Sequence, residues 1–106
     1  MVNKITNSVR LNGEELVTVE KLCLKKHTKI STLVRQMIVS YLTANPNPKI
    51  KDNPLDKLYQ QISVVFDEEN NKLIDDIVYS CQFNKGEVLR SILIDALDEY
   101  GVDSNA

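Results

Sequence analysis

One pattern occurs twice in this chain of 106 residues, and the second occurrence begins 55 positions after the first. From Ser8, and again from Ser63, a short alternating stretch runs into a helical apolar pattern, a brief break and a second helical pattern. A unit of roughly 40 residues is too small to enclose a core, so each copy must bury its apolar faces against another. The partner is already on the chain. An ungapped shift of 55 leaves only five of the 35 positions from Ser8 to Leu42 identical, but it keeps the apolar class: Val9 with Val64, Leu11 with Phe66, Val19 with Ile74, Leu22 with Ile77, Leu33 with Val88 and Ile38 with Leu93.

Each copy opens with period-2 alternation, Val9 and Leu11 on one face against Ser8 and Arg10 on the other, then Val64 and Phe66 against Ser63, with Val65 interrupting the outward polarity. This is the signature of a strand buried on one face. Asn12 and Asp67 follow as N-caps, Glu15 completes a capping-box spacing, and the first helix of each copy is expected to start near Gly13 and near Glu68. Leu16, Val19, Leu22 and Cys23, and then Ile74, Ile77, Val78 and Cys81, form one-sided stripes. The second helices are more apolar: Leu33, Val34, Met37, Ile38, Tyr41 and Leu42, then Val88, Leu89, Ile92, Leu93, Ala96, Leu97 and Tyr100. Stripes that wide must touch more than one neighbour. Asn84 and Glu87 make a capping box at the start of the last helix, where the first copy has Lys29 and Thr32.

The expected organisation is a first unit over 1–42, a linker over 43–59 and a second unit over 60–106. Pro46, Pro48 and Pro54 exclude a continuous helix or central strand from the linker, and Asn53 before Pro54 is placed to cap one helical turn carrying Leu55, Leu58 and Tyr59. At about 3.3 Å per residue the linker reaches up to roughly 55 Å, so pairing within the chain is sterically allowed. Two chains pairing like with like would also bury every stripe.

Composition narrows the class. Apolar content of 42% and charge of 26% describe a globular chain rather than a disordered or collagen-like one. No stretch is long and apolar enough to span a bilayer, and the first residues lack the apolar run of a signal peptide, so a cytoplasmic location is expected. Cys23 and Cys81, both inside apolar stripes, read as buried thiols. One histidine and no clustered ligands give no cofactor or metal site, and no nucleophile, base and orienting group for an enzyme. The net charge of −2 conceals an asymmetry: residues 1–42 carry seven Lys or Arg against three Glu, net +4, and residues 43–106 carry six against twelve acids, net −6.

A strand, a helix, a short turn and a second helix with an aliphatic-Arg pair inside it (Val34-Arg35, Leu89-Arg90) resembles the ribbon-helix-helix regulators of the Arc and MetJ type. The resemblance covers residues 5–42 and 60–101, but Asn7 stands at a strand position that is usually apolar in that family, so the first strand is expected to pair poorly before Ser8. The two-copy form is also similar to compact regulators carried by archaeal viruses and plasmids, whose location would be the host cytoplasm. It implies a mainly α fold with a short antiparallel β-ribbon, a tandem ribbon-helix-helix paired within the chain as a pseudo-dimer. The ribbon would lie in the major groove of double-stranded DNA. By family position, Thr6, Ser8 and Arg10 with Gln61, Ser63 and Val65 would contact bases, and the helix starts at Lys29, Ile30 and Ser31 and at Asn84, Lys85 and Gly86 would contact phosphates. These side chains suit the role: Arg reads guanine, Gln reads adenine, Ser and Thr several edges, and Val only a thymine methyl. Helix N-termini offer backbone N–H groups to phosphate.

Other charged residues have plainer readings. Arg35 and Arg90 are expected to bridge carbonyls or carboxylates, His27 to end a helix, and Lys21, Lys25 and Lys26 to form a solvated face. Asp95, Asp98 and Glu99 must face away from any bound DNA. The expected function is therefore a sequence-specific regulator of transcription, a repressor by promoter occupancy, binding as an intrachain pseudo-dimer or a homodimer and forming cooperative oligomers on DNA. No membrane or small-molecule partner is expected. The alternatives are an antitoxin or other protein-interaction module, disfavoured by the short GVDSNA tail, and a pure oligomerisation unit.

Overall fold

The computed structural model describes residues 4–104, with side chains through residue 99. Its order is β1 (Lys4–Leu11), α1 (Gly13–Lys26), α2 (Ile30–Ala44), β2 (Gln60–Asp67), α3 (Glu68–Ser80) and α4 (Lys85–Ser104). The molecule is mainly helical, with a single two-stranded antiparallel sheet among the described residues. β1 and β2 pair along their whole length, from Lys4 opposite Asp67 to Leu11 opposite Gln60. Ser8 faces Ser63, its own counterpart in the repeat, so a local twofold relation runs through the middle of the sheet. The strands therefore pair within one chain.

Alternation decides which face of the sheet is buried. Val9, Leu11, Ile62, Val64 and Phe66 point inward and are buried, with Ile5 and Asn7 half-buried beside them. Behind them the halves interlock: α4 packs on β1, α2 packs on β2, and α2 and α4 pack on each other. One continuous core takes Leu33, Val34, Met37, Ile38 and Leu42 from α2 and Val88, Leu89, Ile92, Leu93, Ala96 and Leu97 from α4. α1 and α3 close its edges with Val19 and Ile74, flanked by half-buried Leu16, Leu22, Ile77 and Val78. A radius of gyration of 13.3 Å matches one domain of about 100 residues rather than two tethered units. The expected Tyr100 contact lies outside the described side chains.

Local chemistry sets the ends of the helices. Asn12 and Glu15 form the capping-box pair of α1, with the Asn12 N–H donating to Glu15 Oε1 at 2.7 Å. The Asp67 carboxylate accepts the Asn70 N–H at 2.8 Å to start α3. Asn84 and Glu87 exchange both bonds of their box, at 2.9 and 3.2 Å. His27 ends α1 in the left-handed region at φ 53°, an uncommon conformation for a residue with a Cβ. α2 runs two residues into the expected linker, because Thr43 and Ala44 precede Asn45, the first position that Pro46 disfavours for helix.

Four expectations are corrected. No helix forms at 54–59, where only Lys57 and Leu58 make a turn; the Asn53 and Pro54 carbonyls accept from Arg90, the Asn53 carboxamide bonds back to Lys51 O at 3.1 Å, and Leu58 is exposed. The first strand pairs fully before Ser8, since the Asn7 carboxamide finds Asn71 Oδ1 at 3.4 Å. Cys23 and Cys81 are half-buried free thiols at the rim, not core residues. Arg35, expected to bridge like Arg90, is exposed and has no hydrogen bond or ion pair among the described residues.

Candidate nucleic-acid interface

The outward face of the sheet carries every expected base-contacting residue. Arg10 lies opposite Gln61, Ser8 opposite Ser63 and Thr6 opposite Val65, three consecutive same-face pairs. Five of the six are exposed and Val65 is half-buried. Period-2 geometry dictates this, because residues that alternate with a buried row must stand on the other face. The helices all take the inner face, so the outward side remains open.

Two contacts preorganise that face. Gln61 Nε2 donates to Ser8 Oγ at 2.8 Å, a diagonal bond that uses one of the carboxamide's donors. The Arg10 guanidinium stands over the ring of Tyr59, 5.4 Å from its centroid, a cation–π arrangement that holds the head group at the end of the sheet. Nothing in the pattern of residues signals Tyr59 as a site residue. It lies in the linker one step before β2, and only the closing of the sheet brings it under Arg10. Beyond the other end, Lys4 faces Asp67.

The two expected phosphate positions differ. Thr6, Ser8 and Arg10 share a groove of about 760 Å³ with Asn84, Lys85, Gly86 and Glu87, walled by linker residues Asn53 to Leu55. There the Lys85 ammonium is already engaged, 3.0 Å from Asp75 Oδ1 and bonded to Asn71 Oδ1, and Asn84 is occupied by its capping box. Lys29 and Ile30 line a separate groove with Cys23, Leu24 and His27. Lys29 is the N-cap of α2 and makes no side-chain capping bond, and Ser31 is half-buried in the first turn. Burial and, secondarily, the Glu20 carboxylate push the Cys23 thiol above its ordinary value.

Behind the face lie two polar assemblies that sequence reasoning reached only in part. Arg90, expected to be structural, donates to Asn53 O (2.8 Å), Arg10 O (3.0 Å), Pro54 O (2.9 Å) and both Glu15 carboxylate oxygens. It thereby ties β1, α1 and the linker to α4. The second assembly links Asn7, Asn71, Asp75 and Lys85, joining β1, α3 and α4. Buried Asn71 is its centre. A comparison of corresponding positions would have flagged it: Asn7, Asn71 and Lys85 match Ile62, Leu16 and Ile30, all apolar.

Asp95 is half-buried beside Tyr41, while Asp98 and Glu99 are exposed on the later part of α4. Asp95 lies ten residues, about 15 Å, along the helix from Lys85. No group of three or more His, Cys, Asp or Glu suited to a metal occurs among the described residues, and no helix there is long and apolar enough to cross a membrane. No family model matches this chain, and no curated protein or solved structure shows significant similarity to it.

Proposed function

We propose that this chain is a tandem ribbon-helix-helix regulator that binds double-stranded DNA by inserting its β1–β2 ribbon into the major groove, working as an intrachain pseudo-dimer. The observation that carries the reading is the outward face: a guanidinium, a carboxamide and three hydroxyls side by side on an uncovered two-stranded ribbon. The strands of such a ribbon stand roughly 4.8 Å apart, and a major groove about 12 Å wide admits it. α2 and α4 cover the inner face and α1 and α3 close the edges of the core behind it, which leaves the outward face to the ribbon. Occupancy of a promoter, hence repression, is the mechanism that fits a chain built this way.

In this reading Arg10 contacts a guanine edge bidentately, Gln61 an adenine, and Ser8, Ser63 and Thr6 neighbouring edges, while Val65 meets a thymine methyl. Lys29, Ile30 and Ser31 are the stronger phosphate contacts, because the Lys85 ammonium is shared with Asp75 and Asn71. The acidic excess of the second half is tolerable where it lies along α4 away from the ribbon.

A duplex selected by the full chain from random sequences provides the test. Affinity should fall steeply with salt, and Arg10→Ala should weaken specific binding by about 1–3 kcal/mol, roughly 5- to 150-fold, in a gel-shift titration. Unchanged affinity removes Arg10 from the base contacts; the absence of any salt-dependent duplex binding sinks the reading. A protein-contact role for the same molecule has one observation behind it: Leu24 and Tyr79, corresponding positions near the ends of α1 and α3, are 77% and 94% exposed. That surface suits contacts between copies bound side by side on DNA.

A further inference from the structure

The local twofold of the sheet exchanges Arg10 with Val65 and Gln61 with Thr6, and leaves only the Ser8–Ser63 pair equivalent to itself. One end of the outward face thus presents a guanidinium and a carboxamide, and the other an isopropyl and a hydroxyl with a methyl. The support beneath them differs as well. Tyr59, which carries Arg10, corresponds to Lys4 at the opposite end.

The interior keeps the two ends from being exchanged. Asn7 in the first half bonds Asn71 of the second, and Asn71 accepts from Lys85; the corresponding trio, Ile62, Leu16 and Ile30, belongs to the apolar core and its rim. Two first halves pairing with each other would set Asn7 against Leu16 and Ile30, leaving a half-buried carboxamide with only its long 3.5 Å bond to Ile5 O. Two second halves would set Arg90 against Asn70 in place of Glu15. Only the mixed pair satisfies both assemblies, so the difference between the ends is fixed in every molecule.

Given the DNA-binding reading above, on which this rests, we infer that the chain recognises a non-palindromic duplex and binds it in one orientation. The Arg10/Gln61 end takes a guanine- and adenine-containing stretch of the major groove, by bidentate bonds. The Thr6/Val65 end takes thymine methyls. Same-face pairs are about 6.8 Å apart along a strand, so the two ends are separated by roughly 14 Å, about four base steps. The Ser8–Ser63 pair lies over the centre of the site.

The experiment is a selection of random duplexes by the full chain, repeated with Thr6→Gln/Val65→Arg, which gives both ends the side chains of the strong one, and with Arg10→Val/Gln61→Thr, which gives both those of the weak one. These positions are exposed or half-buried, and circular dichroism melts establish that each variant is folded. The wild type should enrich a consensus without twofold symmetry and bind it about tenfold more tightly than either palindrome made by doubling one half. The first variant should shift its preference to the palindrome that doubles the guanine-containing half, and the second should lose most of its sequence preference. A palindromic consensus for the wild type, or a first variant whose preference is unmoved, overturns the inference and leaves DNA binding standing. Salt-dependent binding without enrichment overturns base reading by these residues. No duplex binding overturns the underlying function. If the first variant does not fold, the symmetry of the wild-type consensus and the behaviour of the second variant decide.

Discussion

Replacing Arg90 with methionine tests how much of the fold rests on one side chain. Arg90 is 5% exposed at its side chain and Glu15 22%, and a guanidinium has five N–H donors. All five are accounted for by the five bonds to Asn53, Arg10, Pro54 and the two Glu15 oxygens. Arg90→Met retains much of the aliphatic volume but removes the guanidinium donors from a half-buried carboxylate and from the Asn53, Arg10 and Pro54 carbonyls, of which Pro54 O keeps the Asn12 carboxamide. Breaking a buried pair from one side costs about 3–5 kcal/mol. Glu15 keeps the Asn12 N–H and some access to water, so the lower end of that range, ~3 kcal/mol, is expected here. For a domain whose whole stability is about 5–15 kcal/mol, that is a loss of roughly 12–20 °C in Tm. The control is built into the repeat: Arg35→Met, at the corresponding position of α2, should cost less than about 0.5 kcal/mol, since Arg35 is exposed. Urea denaturation of both variants gives the comparison. A loss below about 1 kcal/mol for Arg90→Met, with hydrogen exchange quickened only at 51–56, would mean that Arg90 merely pins the linker and would refute the reasoning.

Three further outcomes are expected. His27→Gly should raise stability by about 0.5–1 kcal/mol by relieving the left-handed conformation at φ 53°, read as a higher Tm; an unchanged or lower Tm contradicts it. Asn71→Leu alone should cost about 1–3 kcal/mol by removing the acceptor that Asn7 and Lys85 share, leaving Lys85 to Asp75 and Asn7 to Ile5 O, whereas Asn7→Ile/Asn71→Leu/Lys85→Ile, which copies the other half, should recover most of that in urea denaturation. Tyr41 is raised above the ordinary phenol value by burial first and then by Asp95, whose carboxylate accepts its O–H at 3.4 Å. Its folded value exceeds the unfolded one, so its contribution is complete below pH ~10 and is lost as pH rises through the folded value. Tyr41→Phe should flatten the decline of Tm in that alkaline window, and an identical decline in both proteins would remove Tyr41 as its source.

What the sequence discloses here is what local periodicity can encode. Period-2 alternation placed Val9, Leu11, Val64 and Phe66 inside and Ser8, Arg10 and Ser63 outside, and the stripes of α2 and α4 marked the central helices, because each signal lies within a few residues. The 55-residue shift makes Ser8 and Ser63 counterparts, but a twofold can pass through any corresponding pair, so only the closed sheet shows that these two meet. Asn7 with Asn71, and Arg90 with Arg10 O and Glu15, lie beyond that reach, at separations of 64, 80 and 75 positions. In each case the residue type announces a need for a partner, but only the closed fold supplies one. From the sequence Asn7 reads as a defect for that reason, and Arg35 and Arg90 read alike.

The linker explains why corresponding residues part company. It passes only once, from the end of α2 to the start of β2, so only one half has a linker to hold. Arg90 meets the Asn53 and Pro54 carbonyls where Arg35 meets nothing comparable. Buried Ser91 accepts the Lys51 N–H at 3.0 Å, whereas its counterpart Gln36 is exposed. The Asn12 carboxamide bonds Pro54 O and the Asp56 N–H, whereas its counterpart Asp67 caps its own helix at Asn70. Three divergent pairs of positions thus follow from one strand of chain, with no appeal to function. The outward face is a different case, because Thr6 and Gln61 stand opposite Val65 and Arg10 in the sheet rather than against the linker. Tyr59, the linker's last residue, lies beneath Arg10 on that face, and Asn53 to Leu55 wall the groove beside it. Joining the halves therefore breaks the symmetry of the interior by necessity, and at the outward face it favours the end that carries the guanidinium.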